Sequence, residues 1–491
     1  MKKERQLDAN GQPRFGMADK LAYAAGDFGC NMSFSLKGTI QTFWLVFMML
    51  ETGLLSALLL VVQVWDAIND PLIGSMIDAD RRKYKLGKFK TYILIGAIGL
   101  LVAGSLCFIP VPNAPVVIKA IIFIAGYVIW DACYTVANVP YGSMLSLVTE
   151  DPGERAQLST WRSVGSMIGN MVPMMLLPLL IWRDVKDENG QTLINPETGE
   201  NVQELLGERV FFVAIIMGVL GFLAFLFMIK KITIRVDESS VKVNEGEKFN
   251  VIKAFGNFMK NRPAVGATLA AMGMFLGMNS ATTAISIMFT VYFGNGGLSG
   301  IVSVVGFLPM LFFMPFIKKI VAKWGKKEAS VAGTIVSLAG GVLMFLFPLV
   351  SNKMAALGLY MLALSVFGIG MGIYTCVSWA LMADAIDYNE WKTGKREEGT
   401  VYSLHSFFRK LAQGIGPSVV LILMGVLGYD SKIKVGAQSA QTAMNMCWLV
   451  AGLYLFSAIL MFVGIAVIYN LDKKTMAVMT EELAARKSAE E

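Results

Sequence analysis

The sequence predicts an all-α integral membrane protein with twelve transmembrane helices in two halves of six. Three observations predict it. The chain of 491 residues is 55% hydrophobic and only 16% charged, where a soluble domain carries about 25% charged residues. Apolar runs close to the ~20 residues needed to cross a bilayer recur from one end to the other. Most of the 43 Lys and Arg sit in alternate connections, the pattern of a chain whose loops fall on two sides of a membrane.

The spans fall at roughly 21–49, 53–77, 91–111, 116–148, 160–182, 209–230, 264–291, 298–317, 329–350, 354–383, 399–428 and 442–470. Several exceed twenty residues, which fits tilted or extended helices. Met1 to Lys20 is polar and charged with no cleavage-site pattern, so the first span is expected to stay in the mature chain. The basic side holds the N-terminus, the loops after spans 2, 4, 6, 8 and 10, and the C-terminus. That side is expected to be cytoplasmic, in a multi-pass membrane protein. The net charge of +7 is thereby a topology signal, and nucleic-acid binding is excluded as its cause. Cys30, Cys107, Cys133, Cys376 and Cys447 lie in or at the edge of apolar segments without a C-x-x-C pair, so neither a disulfide framework nor a zinc site is implied.

The longest polar connection on the basic side, Lys231 to Pro263, divides the chain. The expected organisation is a first half over 1–230, a central cytoplasmic loop over 231–263, a second half over 264–470 and a cytoplasmic tail over 471–491. Gly87-Lys88 after span 2 is echoed by Gly325-Lys326-Lys327 after span 8. Two six-span halves with corresponding features are the architecture of the major facilitator fold, whose substrates bind near the midplane. In the outer loop Arg183 to Leu206, the pairs Asn189-Gly190 and Thr198-Gly199 predict a hairpin. The tail after Leu471 alternates charge with Met476, Met479 and Leu483 at helical spacing. It reads as an amphipathic helix packed under the bundle.

Charges inside spans are costly and mark ion or substrate paths. Span 2 carries Asp66 and Asp70 four residues apart, hence on one helix face, with Asn69 beside them. Two carboxylates a turn apart in a low dielectric do not both stay ionised without a counter-charge. Protonation of one, a basic partner from another helix, or a mobile hard cation would each resolve the conflict. In span 4, Asp131, Thr135 and Asn138 form a polar stripe. Arg162 opens span 5 beside Trp161. Span 11 holds Tyr402, Ser403, the single histidine His405, Ser406, Arg409 and Lys410; span 1 holds Asp27, Asn31, Ser33, Ser35 and Lys37. The run Gly368-Ile369-Gly370-Met371-Gly372 lies in an apolar span, where it reads as close helix packing or a hinge. No P-loop, nucleophile elbow, zincin or kinase motif is present, so no enzyme is expected.

These residues resemble a known group. Asp66-Ala67-Ile68-Asn69-Asp70-Pro71 followed by Gly87-Lys88-Phe89-Lys90 is similar to the glycoside–pentoside–hexuronide:cation symporter family. So are Gly26-Asp27-Phe28-Gly29, Asn138-Val139-Pro140-Tyr141-Gly142-Ser143, Asp384-Ala385-Ile386-Asp387-Tyr388-Asn389-Glu390 and Glu398-Gly399-Thr400-Val401-Tyr402-Ser403. The motifs spread over both halves. The resemblance implies secondary active symport of a sugar, glycoside or hexuronide with a cation, Na⁺ or H⁺, by alternating access, without a cofactor. It implies that Asp66, Asn69, Asp70 and Thr135 form the cation site and would be the metal ligands if the ion is Na⁺. It implies that Arg162 and Lys410 hold the sugar or the charge network around it, with Asn31, Asn138, Trp161, His405 and Ser406 lining the cavity. Trp161, Tyr134 and Tyr141 are candidates to stack on a sugar ring.

The sequence also departs from the melibiose-type pattern. Acids there correspond to Asn31 and Asn138 here, a Trp to Gly142 and a Lys to Cys30. The pattern is nearer the glucuronide and xyloside branch, and fewer acids beside Arg162 and Lys410 would suit an anionic hexuronide. The alternative is a transporter of the same fold for another solute, such as a lysolipid; the polar stripes of spans 1, 4 and 11 disfavour it. The expected partners are a small sugar and the lipid bilayer, and the chain is expected to act as a monomer.

Overall fold

The computed structural model describes residues 13–149, 151–236, 251–394 and 398–490. The expected polar central connection therefore falls partly outside the described residues. The chain groups into two compact units. The first is Met1–Arg183 with Glu204–Glu245, the second Asp184–Gln203 with Gly246–Glu491.

The first unit is built from α1 (Met17–Phe34), α2 (Leu36–Thr42) with a π-helical turn over Phe43–Phe47, α3 (Thr52–Ala79), α4 (Lys88–Leu106), α5 (Val116–Val148), α6 (Pro152–Ile181) and α7 (Gly207–Lys231). Helix α1 packs on α6 and α7, and α5 on α3 and α4. A side chain at Gly165 of α6 would strike the backbone of Ala24 in α1. The missing Cβ lets the two backbones approach, as small residues do between membrane helices. That approach sets Arg162, one turn earlier, against α1.

The second unit contains α8 (Val251–Lys260), α9 (Arg262–Phe275), a π-helical turn over Leu276–Ser280, α10 (Ala281–Val291), α11 (Leu298–Trp324), α12 (Lys326–Leu343), α13 (Lys353–Thr393), α14 (Glu398–Val426), α15 (Ala440–Phe462) and the tail helix α16 (Lys473–Glu490). Helix α13 packs on α12 and α11, and α9 on α15, α14 and α13.

Among the described residues, nine helices are long and apolar enough to cross a membrane, and Ala281–Val291 and Leu298–Met310 are shorter apolar helices. The other predicted spans are helical as well. The first is covered by α1, α2 and their π turn, the seventh by α9, its π turn and α10, and the eighth by α11. Helix α1 carries Asp19, Lys20, Asp27 and Asn31 among its 18 residues, and Lys37 follows in α2.

The glycine run in α13 serves close packing. A Cβ at Gly370 would meet the Gly333 carbonyl oxygen of α12, and one at Gly368 the Gly306 carbonyl oxygen of α11. The echo between Gly87 and Gly325 is a backbone equivalence. Both precede the first residue of a helix, α4 and α12, with φ of 83° and 109°, a region open to glycine at no steric cost. Before Gly87, Asp80 accepts from the Tyr84 and Tyr92 hydroxyls at 2.5 and 2.6 Å and from the Arg82 N–H at 3.0 Å. Those donors hold its carboxyl down to about 2.

The outer loop folds as the hairpin its turns predict. Strand β1 (Trp182–Asp184) pairs with β2 (Gln203–Leu205), and Lys186 bridges to Thr192 and Ile194 to Asn201. Although it connects α6 to α7, Asp184–Gln203 belongs to the second unit. Buried Asn195 donates to the Gly436 and Gln438 carbonyls, both at 2.9 Å. The tail packs as expected: Met479 is buried, Trp391 donates to Glu482 at 2.6 Å and Arg486 to the Trp391 carbonyl at 3.0 Å.

Candidate functional site

In the first unit the polar groups of α3 and α5 meet. Asn69 is fully buried, Thr135 and Asp131 nearly so. The Asn69 amide donates to Thr135 Oγ1 at 2.8 Å and to Asp131 Oδ2 at 3.0 Å. Thr135 donates on to Asp70 Oδ1 at 2.8 Å. Among the described residues, the side-chain carbonyl oxygen of Asn69 has no donor. An orphaned buried carbonyl is costly unless a ligand satisfies it, and an oxygen with no proton to accept is suited to a cation. Of the four residues the resemblance assigns to the cation, Asn69, Asp70 and Thr135 are thus joined. Asp66 turns to Lys37, whose Nζ lies 3.7 Å from its Oδ2. Asp131 is a member of this cluster that sequence reasoning left without a role. Its place on one stripe with Thr135 was the available signal.

A second set of polar groups joins α1 and α6. Arg162 Nε donates to Asp27 Oδ1 at 2.9 Å, and its guanidinium lies 5.1 Å from the Tyr141 ring centre. Asn31 donates to the Asp27 carbonyl and to Asp27 Oδ2 at 2.8 and 3.1 Å. Asn170 donates to Asn31 at 2.6 Å. The carboxylate on this face is therefore Asp27, one turn before Asn31. Tyr23 and Tyr141 stack at 4.8 Å. Trp161 and Asn138 are half-buried. Asn170 was not found from the sequence, because a lone Asn among apolar residues gives no periodic signal.

In the second unit, His405 is buried. Its Nδ1 lies 2.9 Å from Thr268 Oγ1, and its ring meets Trp379 edge-on at 5.8 Å. Ser406 is half-buried and Lys410 exposed. Neighbouring Arg409 lies over the rings of Phe275 and Trp379, at 5.5 and 5.2 Å. Its Nε is buried without a partner among the described residues.

Residues 22–473 match the model of the MFS/sugar transport protein family. The chain belongs to that family. It is a multi-pass membrane transporter of the major facilitator fold and of the glycoside–pentoside–hexuronide symporter type, and it is not an enzyme. This sugar transporter is 30% identical to the uncharacterized symporter YjmB of Bacillus subtilis, over 94% of each chain. It is 25% identical to the glucuronide carrier protein homolog of Escherichia coli, over 83% of each. The crystal structure of the nucleoside transporter NupG superposes with a TM-score of 0.57 at 14% identity. It covers 93% of this chain and 100% of that one, a likeness of fold alone.

Proposed function

We propose that this sugar transporter is a cation-coupled symporter, with its coupling ion held by Asn69, Asp70 and Thr135 and with Asp66 and Asp131 contributing charge. The Asn69 carbonyl oxygen, buried without a donor among the described residues, carries this reading. It lies in a set offering carboxylate, amide and hydroxyl oxygens, the donors that hard cations take. Na⁺ would be held by those oxygens directly, whereas H⁺ would sit on one carboxylate. The residues proposed for the sugar, glycoside or hexuronide are Asn31, Asn138, Trp161 and Arg162 in the first unit and His405, Ser406 and Lys410 in the second.

The coupling is electrostatic. In the two polar clusters of the first unit, Asp27, Asp66, Asp70 and Asp131 stand against Lys37 and Arg162. A bound cation offsets part of the surplus negative charge and frees the polar groups to take substrate. By linkage, substrate then raises cation affinity by the same factor. The empty and the fully loaded carrier exchange faces, with basic loops and both termini on the cytoplasmic side.

The test is uptake of a panel of labelled glycosides and uronides into proteoliposomes, with Na⁺ and pH gradients imposed separately. Accumulation driven by one gradient in the wild type, and its loss in Asp70→Asn with insertion intact, is the expected result. Undiminished gradient-driven accumulation in Asp70→Asn would sink the site assignment.

A further inference from the structure

We propose that Arg409 recognises an anionic substituent of the sugar, so that the transporter prefers a carboxylate-bearing sugar to its neutral counterpart. This rests on the sugar-symport reading above and assigns the substrate class within it. The sequence pointed to Arg162 and Lys410 for such a role. Arg162 is already neutralised by Asp27 at 2.9 Å, and Lys410 is exposed.

Arg409 is placed differently. It lies about 12 Å along α14 from Val401, where the apolar span begins. Among the described residues it takes part in no ion pair. Its Nε is buried and unpartnered there, and its guanidinium is held over the rings of Phe275 and Trp379. One turn earlier in the helix ladder, His405 is committed to Thr268. At the end of α13, the Asp384 carboxylate is occupied by Lys326 at 2.6 Å. A charge kept inside a span faces protein or water rather than lipid and marks a substrate path. A cation kept there with no ion-pair partner among the described residues leaves a counter-charge for a ligand to supply.

The surroundings specify what kind of ligand. Tyr402, His405 and Arg409 form one stripe of α14 at i, i+3 and i+7. Trp379 stacks on Tyr402 with ring centres 5.7 Å apart, and both residues are half-exposed, at 47% and 48%. Such a pair offers an apolar face to the C–H side of a pyranose. The guanidinium fork beside it matches the two oxygens of a carboxylate. The π-helical turn Leu276–Ser280 begins at the residue after Phe275, and such turns are frequent at functional sites.

The experiment compares methyl β-D-glucuronide with methyl β-D-glucoside, which differ only at C6, in proteoliposomes of the full chain. In the wild type the KM for the glucuronide is expected to be lower by about tenfold or more, as a charge-assisted hydrogen bond would give. Arg409→Gln should raise the glucuronide KM by a similar factor and leave the glucoside KM within about twofold. Arg409→Lys, which keeps the charge without the fork, should retain part of the preference. Equal losses for both sugars in Arg409→Gln, or a wild type that favours the glucoside, overturn the proposal. If Arg409→Gln yields no folded carrier, the wild-type preference and Arg409→Lys still decide. Cation-driven uptake of the glucoside with no uptake of the glucuronide would leave the symport reading standing and remove this inference. Uptake of neither by any gradient would remove both.

Discussion

Asn69 donates its side-chain amide to Thr135 at 2.8 Å, and Thr135 donates its own hydroxyl to Asp70 at 2.8 Å. Thr135 is therefore the relay that holds the amide of one residue and the carboxylate of another in a fixed relation. Removing its hydroxyl should loosen both. Thr135→Ala is expected to raise the half-saturating concentration of the coupling cation by about tenfold, in keeping with one hydrogen bond to a charged group. Thr135→Ser should stay within about threefold. The measurement is initial sugar uptake against cation concentration. Identical behaviour of the two variants would show that the hydroxyl has no part in ion binding.

The pair of Arg162 and Asp27 supports a prediction about stability. Asp27 is nearly buried, with a side chain 8% exposed, while that of Arg162 is 39% exposed. Breaking a buried pair from one side costs about 3–5 kcal/mol because it strands a charge. The exposure of Arg162 lowers that to roughly 1–3 kcal/mol here. Asp27→Asn should lower the melting temperature in detergent by more than the double variant Asp27→Asn with Arg162→Gln does. A double variant that is the sum of its singles would mean that the two charges do not act as a pair.

How much of this was legible depended on whether a partner lay on the same helix. The faces of span 2 and span 4 could be read from spacing, and Asp66, Asp70, Asp131 and Thr135 were all visible as polar residues where apolar ones belong. Which helix each face meets was not. Periodicity fixes the direction of a side chain relative to its own axis and carries no information on the neighbouring helix. So the engagement of Asp66 by Lys37, of Arg162 by Asp27 and of Asn69 by Asp131 emerged only from the packed helices. Arg409 was visible as a charge in span 11, yet its lack of an acid among the described residues is a property of its surroundings. The hairpin was legible from Asn189-Gly190 and Thr198-Gly199. That Asp184–Gln203 groups with the second unit was not, because chain order assigns it to the first half.

That hairpin gives a third prediction. Asn195 is 5% exposed and ties the hairpin to the Gly436 and Gln438 carbonyls. Ala440 N–H also donates to Glu197 at 3.1 Å. Replacing Asn195 by Ala leaves two buried carbonyls without that donor, at a local cost of about 1–3 kcal/mol. Limited proteolysis of the purified carrier should then cut the segment around Asn189 and Gly190 faster by about an order of magnitude, since cleavage follows the population of the opened state. An unchanged cutting rate would show that the loop is held by its other contacts.

The glycines of α13 allow a prediction with an internal control. Gly370 faces the Gly333 carbonyl and Ser337 of α12 so closely that a Cβ there has no room. Gly358, on the same helix, has nothing among the described residues within 4 Å of its would-be Cβ. Gly370→Ala must push α12 and α13 apart or bend them, at about 1–3 kcal/mol, the usual cost of overpacking. Gly358→Ala should be neutral or slightly stabilising, since alanine is the better helix former by up to about 1 kcal/mol. Melting temperatures in one detergent, followed by tryptophan fluorescence, separate the cases. If the glycine run acted as a flexible hinge and not as a contact surface, both substitutions would stiffen the helix alike and Gly370→Ala would not melt earlier. An earlier melt confined to Gly370→Ala assigns the run to packing, because only the substitution that meets a neighbouring backbone is penalised.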